Sequence, residues 1–424
     1  MKLHKNKIGI IGMGYVGLPL AAAFAKKQKV IGFDINKKRI KDLINGLDIT
    51  NEINKKNLKN LKNLKFSNDI NDLKSCEIYI VTVPTPVNAK KKPDLRPLLS
   101  ATKIVSKVLT KNNLVIYEST VFPGATEELC GPILEKNSGF RVNHNLFLGY
   151  SPERINPGDK KRKLNNIVKI VSGSNIKTQK QVSNLYSSIV KAGIYKAENI
   201  KIAEAAKVIE NTQRDLNIAF INELSIIFKK LNLSTEKILK AAETKWNFIP
   251  FRPGLVGGHC IGVDPYYLTY KAKKVGYKPK IILSGRNLND QMSLNVFKDI
   301  NNILIKKNKN YKYKNKILIM GLTFKENCPD TRNSKVLDLF NHFKKDKFEI
   351  SSYDPYSKSW SFKFKSKYNI IESLRNRKFD AIILAVKHQN FLKNKKKIKD
   401  LCNKSGFIYD LKYLFPESPN IYRL

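Results

Sequence analysis

Ile8–Ala25 runs for eighteen residues without a charged side chain, in a chain that carries 79 lysines and arginines. Such a run can span a bilayer, or serve as a leader behind the basic residues 1–7, with Ala21-Ala22-Ala23 as its cleavage site. It can also be a buried strand followed by a buried helix. Gly9, Gly12, Gly14, Gly17 and Pro19 punctuate it, and their spacing is that of a nucleotide-binding turn. The third reading therefore leads, and no other segment is long and apolar enough for a membrane. No membrane insertion is expected.

Gly12-Met13-Gly14-Tyr15-Val16-Gly17 follows a candidate strand and opens an apolar helix. In that setting Gly12 allows a tight turn, Gly14 lets a pyrophosphate approach the backbone, and Gly17 lets helix and sheet pack closely. Tyr15 and Val16 belong to the same cofactor-binding turn. Asp34 ends the next candidate strand, where an acid binds both ribose hydroxyls. That favours NAD, since a 2′-phosphate would be repelled. Arg39 is placed to stack on adenine or contact phosphate, and Lys37, Lys38 and Arg39 leave a small opening for NADP.

The 424 residues call for two or three domains. Candidate strands Lys7–Ile11, Val30–Asp34, Glu77–Val83 and Leu114–Glu118 alternate with mixed segments, as βαβ units do. From Ile200 to Lys230 the apolar spacing becomes helical, and helical segments continue at Ser234–Glu243 and Asn287–Ile305. Strand patterns restart at Lys316–Met320, Glu349–Tyr353 and Ala381–Val386. The fold class is α/β: two Rossmann-like domains joined by a helical central region with a long helix. The boundaries read 1–199 for the NAD-binding domain, 200–305 for the central dimerisation and catalytic region, 306–315 for a linker and 316–424 for the C-terminal domain.

The net charge is +44, which raises a second class of function, a basic nucleic-acid-binding protein. That class predicts a basic stripe with interleaved aromatics. Here lysine is spread along the whole chain, together with Asn and Ile, so a solvated surface is the better reading and no nucleic acid is expected. Hydrophobic residues at 42% suffice for packed cores. Cys76, Cys130, Cys260, Cys328 and Cys402 are scattered and odd in number. They form neither a disulfide framework nor a metal pattern, and a reducing cytoplasm fits.

Cys260 stands apart within Val256-Gly257-Gly258-His259-Cys260-Ile261-Gly262-Val263-Asp264. Glycines on both sides let substrate approach the sulfur, and Asp264 can orient a base or a water. A buried structural cysteine is the bland alternative. On the long helix, Lys207, Asn211 and Arg214 recur at i, i+4 and i+7 and share a face. Lys207 among alanines is a candidate acid/base, against the alternative of a solvated lysine.

Seven segments together resemble the UDP-glucose/GDP-mannose dehydrogenase family. They are GIIGMGYVGLP, VPTP (83–86), YESTVFPG (117–124), GYSPERINPGD (149–159), AEAAKVIENTQR (203–214), PGLVGGHCIGVDPYYL (253–268) and GLTFKENCPDTRNS (321–334). They span nearly the whole chain. The resemblance implies oxidation of a UDP-sugar alcohol at C6 to a carboxylate, with two NAD and a Cys260 thioester. It implies cofactor contacts from Thr85, Thr120 and Arg332. Thr120, Glu153 and Asp264 would serve the hydrolytic water, and Lys207 and Asn211 the oxyanions. Substrate would lie along Glu153, Arg154, Ile155, Arg214, Gly257 and Lys325. UDP contacts would come from the last domain, and the long helix would form a dimer interface, in a homodimer or higher homo-oligomer. TKWNFIPFRPGLVGGHCIGVDPYYLTYKA resembles the branch acting on UDP-N-acetylhexosamines, in surface-polysaccharide synthesis. Val263 stands where the UDP-glucose branch has lysine. UDP-glucose and UDP-N-acetylmannosamine remain rival substrates. A β-hydroxyacid or 6-phosphogluconate type of dehydrogenase is a further rival, but it uses no cysteine.

Overall fold

The computed structural model describes residues 7–155, 164–307, 315–346 and 348–424. Two compact units account for them: residues 1–210 with 266–278, and residues 211–265 with 279–424.

The first unit is built on an eight-stranded sheet. Its strands are β1 (Ile8–Ile11), β2 (Val30–Phe33), β3 (Leu64–Ser67), β4 (Ile78–Val81), β5 (Asn113–Tyr117), β6 (Leu146–Tyr150), β7 (Lys169–Gly173) and β8 (Ile194–Lys196). They lie in the order β3-β2-β1-β4-β5-β6-β7-β8. All neighbours are parallel except β6 and β7, which run antiparallel. The strand order reverses between β1 and β4, the switch point where α/β sheets bind ligands. Strands β1, β2 and β4 are buried along their whole length, as both-sides-covered parallel strands must be. The helix Gly17–Ala25 covers one face, packing Leu20 and Phe24 against Ile8, Ile10 and Ile80.

The second unit carries a parallel five-stranded sheet, β10-β9-β11-β12-β13. These strands are β9 (Lys316–Met320), β10 (Glu349–Tyr353), β11 (Phe379–Leu384), β12 (Cys402–Asp410) and β13 (Ile421–Tyr422). The helices Lys280–Lys307 and Lys335–Lys345 pack on it through Met292, Val296, Ile300, Leu339 and Phe343. The long helix is present at Ile200–Lys230. Ile200–Glu210 belongs to the first unit and Asn211–Lys230 to the second.

The α/β class, the two largely parallel sheets and the long helix agree with the sequence reading. The strands it named appear within two residues of their expected ends. It did not name β3, β6, β7, β8, β12 or β13. The helix Lys280–Lys307 begins seven residues earlier than expected and takes in Lys306 and Lys307. The remainder of the expected linker, 308–314, lies outside the described residues, as do positions 156–159 of the GYSPERINPGD segment.

Candidate active site

Gly12 leaves β1 with φ +102°, a backbone that side chains rarely adopt. A Cβ on Gly17 would lie 1.8 Å from the Gly12 carbonyl and 2.4 Å from Thr82 Oγ1. The third glycine is therefore required by packing. Thr82, just beyond β4, donates to the carbonyls of Gly12 (2.8 Å) and Ile11 (3.0 Å) and locks the turn. A Cβ on Gly14 would meet nothing within 4 Å. The backbone there is bare, as the approach of a pyrophosphate requires. Asp34 follows β2 and accepts from Met13 N (2.8 Å) and Asn36 N (2.9 Å). This fits a dinucleotide whose ribose is held at the end of the second strand.

Arg39 is buried. Its Nε donates to the Met13 carbonyl at 2.7 Å, and its Nη2 pairs with Asp48 at 2.9 Å. The guanidinium braces the glycine turn from behind. Thr85 and Thr120, both half-buried, follow β4 and β5. Ser119 Oγ donates to the Val83 carbonyl at 2.6 Å and ties those two strand ends together.

Glu153 follows β6 and is 8% exposed. Its Oε1 accepts from the amides of Arg154 (2.7 Å) and Ile155 (2.5 Å). Arg154 reaches Glu210 at 2.8 Å and the Val168 carbonyl at 2.8 Å. On the long helix, fully buried Glu204 accepts from Gly124 N (2.5 Å) and Thr126 N (2.9 Å). It fastens the segment after β5 that begins with Thr120. Burial pushes its carboxyl up to about 7, against the pull of those hydrogen bonds. Lys207, three residues on, is buried as well.

In the second unit, the approach to Cys260 is clamped from two sides. Asn222 of the long helix donates to the Gly254 carbonyl (3.0 Å) and accepts from Gly254 N (2.7 Å). A Cβ on Gly257 would lie 2.4 Å from the Asn333 carbonyl, and one on Gly258 would lie 2.5 Å from the Phe324 ring. Gly258 has φ +89° and donates to that same Asn333 carbonyl at 3.2 Å. His259 Nε2 lies 2.8 Å from Asp330 and 3.1 Å from Arg332 Nη2. Burial pushes the Asp330 carboxyl up, but the hydrogen bonds from His259 and Arg332 outweigh it and hold it well below the usual range.

Cys260 is exposed. Its carbonyl accepts from Asp264 N at 2.8 Å, where the helix Asp264–Lys274 begins. Buried Asp264 accepts from Asn211 Nδ2 at 2.5 Å. The bland alternative of a buried structural cysteine thus does not apply to Cys260. Arg214 is exposed, and Lys325 is half-buried beside Phe324.

The structure joins Asn211 to Asp264, and the glycine-cysteine loop to the segment of Lys325 and Arg332. Arg332, read as a cofactor contact, is engaged with Asp330 and His259. Sequence reasoning missed Thr82, Glu204, Asn222, Asn333 and the buried lysine Lys169. Glu204 and Asn333 lie within quoted segments and the other three outside them, but the role of each is found only through its partner. Among the described residues there is no group of three or more His, Cys, Asp or Glu able to hold a metal. No helix there is long and apolar enough to cross a membrane.

Three domain models of the UDP-glucose/GDP-mannose dehydrogenase family match the chain: the NAD binding domain over residues 6–190, the central domain over 201–291 and the UDP binding domain over 318–417. The chain is similar to a UDP-N-acetyl-D-glucosamine 6-dehydrogenase of Salmonella typhi, 51% identical over 100% of this chain and 99% of the relative. One from Pseudomonas aeruginosa is 50% identical over 99% of both. Among solved structures, a UDP-D-ManNAc dehydrogenase of Pyrococcus horikoshii superposes with a TM-score of 0.87 at 30% identity, covering 98% of both chains.

Proposed function

The chain belongs to the UDP-glucose/GDP-mannose dehydrogenase family of NAD-dependent nucleotide sugar dehydrogenases, and on that premise we propose that it oxidises the C6 alcohol of a UDP-N-acetylhexosamine, UDP-GlcNAc or UDP-GalNAc, to the uronic acid. The UDP-N-acetyl-D-glucosamine 6-dehydrogenase activity of the two relatives that match it end to end supports this substrate class. The observation that carries the chemistry is the exposed Cys260 on a loop held at Gly254, Gly257 and Gly258.

NAD is the cofactor, and when bound it supplies the hydride acceptor for both oxidations. Gly12, Gly14, Tyr15, Val16, Gly17 and Asp34 hold it, with Thr85 and Thr120 at the strand ends. Cys260 Sγ adds to C6 of the intermediate aldehyde and makes a thiohemiacetal, whose oxidation leaves a thioester. Covalent capture keeps the aldehyde from escaping. Lys207 and Asn211 donate to the oxyanions, at about 3 kcal/mol per donor. Asp264 fixes the Asn211 amide that does so. Glu153 takes a proton from the water that opens the thioester, with Thr120 and Asp264 helping to place that water. Arg154, Ile155, Arg214, Gly257 and Lys325 bind the sugar nucleotide. The positive charge of the chain aids capture of this anionic substrate. The enzyme acts as a homodimer or larger homo-oligomer in the cytoplasm, supplying a surface polysaccharide.

The test is NADH yield from a panel of UDP-sugars, with wild type and Cys260→Ser. Two NADH per UDP-N-acetylhexosamine, lost in the variant, is the expected result. A variant that still makes acid at the normal rate would overturn the covalent scheme. Turnover of UDP-glucose or UDP-N-acetylmannosamine alone would replace the substrate.

A further inference from the structure

Glu153 has one oxygen with no hydrogen-bond partner among the described residues. Oε1 is spent on two backbone amides, whereas Oε2 is buried and, among the described residues, accepts no hydrogen bond. Among the described residues, the cation paired with it is Lys169, whose Nζ lies 3.5 Å away. Lys169 opens β7 and is 2% exposed. Its Nζ donates to Glu118 Oε2 at 2.9 Å and lies over the Tyr186 ring at 5.3 Å. Glu118, just past β5, accepts on its other oxygen from the Tyr186 hydroxyl. Strand direction explains the cluster. Because β7 runs antiparallel to β6, its first residue reaches the carboxyl ends of β5 and β6, where a parallel strand would have placed its last.

A buried lysine needs one carboxylate for neutrality, and Glu118 provides it. Glu153 brings a second carboxylate to the same ammonium, one more than a purely structural pair needs. Burial alone would drive the Lys169 ammonium down, but the two glutamates outweigh it and raise it, so Lys169 stays charged.

We propose that Lys169 is a positioning residue for thioester hydrolysis: anchored by Glu118 and Tyr186, it holds its charge 3.5 Å from Glu153 Oε2 and so fixes the carboxylate that takes the proton of the attacking water. This rests on Glu153 acting as the base, as proposed above. In the step, the water oxygen bonds to the thioester carbon while one of its protons passes to Glu153 Oε2. The tetrahedral adduct then breaks its C–S bond, the Cys260 thiolate leaves, and Glu153 returns its proton to solvent. No oxidant or reductant takes part.

The experiment follows the pH dependence of hydrolysis, read as the covalent sugar adduct on Cys260 by intact-protein mass spectrometry. Lys169→Met combined with Glu118→Gln removes the counter-charge without leaving Glu118 charged and buried. Its acidic limb should move up by about 1–3 pH units, with the adduct accumulating below it and clearing above it. Glu118→Gln alone leaves Lys169 to Glu153, and its limb should move down instead. Lys169→Arg should restore the limb to near the wild-type position. KM for the UDP-sugar should be unaffected throughout. A folded double variant with the wild-type limb would overturn the proposal. Should the double variant not fold, an unmoved limb in Glu118→Gln would do the same. Glu153→Gln separates the two ideas. Normal hydrolysis in that variant removes Glu153 as the base. Adduct at every pH, with an unmoved limb in the other variants, removes only Lys169.

Discussion

The two glycine-rich loops use the same residue for opposite purposes. In Gly12–Gly17 the middle glycine faces open space, and a Cβ on Gly14 would touch nothing within 4 Å. In the proposed function its bare backbone is the surface that meets the cofactor. In Gly257–Gly262 the leading glycines face walls: the Asn333 carbonyl 2.4 Å from a Cβ on Gly257, and the Phe324 ring 2.5 Å from one on Gly258. There glycine lets the loop pack from behind so that one side chain, Cys260, is presented. A binding loop exposes backbone and a nucleophile loop exposes a side chain, so open space around a glycine separates the two uses. Gly17 is the instructive mixture, a packing glycine within the binding loop.

That distinction breaks first at Gly17 if it is wrong. Gly17→Ala puts a methyl group 1.8 Å from the Gly12 carbonyl, and nothing flexible there can yield. We expect a loss of at least about 3 kcal/mol of stability together with NAD binding, measured by thermal unfolding and fluorescence titration. Wild-type values for both would sink the packing argument.

A third loop, Gly124–Thr126, is held by a buried carboxylate. Glu204 is fully buried, with its carboxyl raised from 4.5 to about 7. A carboxyl raised in the folded state contributes stability that is whole below pH 4.5 and lost as pH climbs through about 7. Wild type should therefore lose up to about 3 kcal/mol across that window, at 1.36 kcal/mol per unit. Glu204→Gln should flatten the slope while carrying a fixed cost of its own. Unfolding midpoints at pH 5 and pH 8 decide it, and an unchanged slope in the variant would show that another group titrates.

Gly258→Ala tests the second loop. The site combines φ +89° with the Phe324 ring, so the loop must shift, at about 1–3 kcal/mol. We expect kcat to fall about 10- to 100-fold with the NAD dissociation constant unchanged. A parallel loss of NAD affinity would mean that the two loops are not independent.

Legibility from sequence follows the same divide. The turn at Gly12–Gly17 was readable because spacing, strand and helix all lie within one short segment. Asp34 was readable because it ends the next strand. The glycine-cysteine motif was readable too, but its supports were not: Asn222, Phe324 and Asn333 lie far along the chain, and no spacing rule links them to Gly254 or Gly258. Asn333 takes φ +52° to aim its carbonyl, a choice invisible in a chain so rich in asparagine. Lys169 was hidden among many lysines, and only the antiparallel turn of β7 gives it meaning. Strands β3 and β8 escaped notice because both are edge strands, and each carries exposed lysine. Arg39 was noticed for its charge, yet its position behind Met13 depends on Asp48, which no motif contains.

The smallest effect is the sharpest test of the contrast. Gly14→Ala adds a methyl group where the protein has no neighbour, so the ligand-free fold should keep its stability to within about 0.5 kcal/mol. The same methyl stands where the pyrophosphate must approach the backbone. NAD affinity should fall about tenfold, or about 1.4 kcal/mol, while Cys260 keeps its reactivity toward a thiol reagent. Calorimetric titration with NAD, beside unfolding of the ligand-free protein, separates the two quantities. Weakened binding with an intact fold would mark Gly14 as a functional group in its own right. A destabilised fold with unweakened binding would place it with Gly257 and Gly258, as a residue that only makes room.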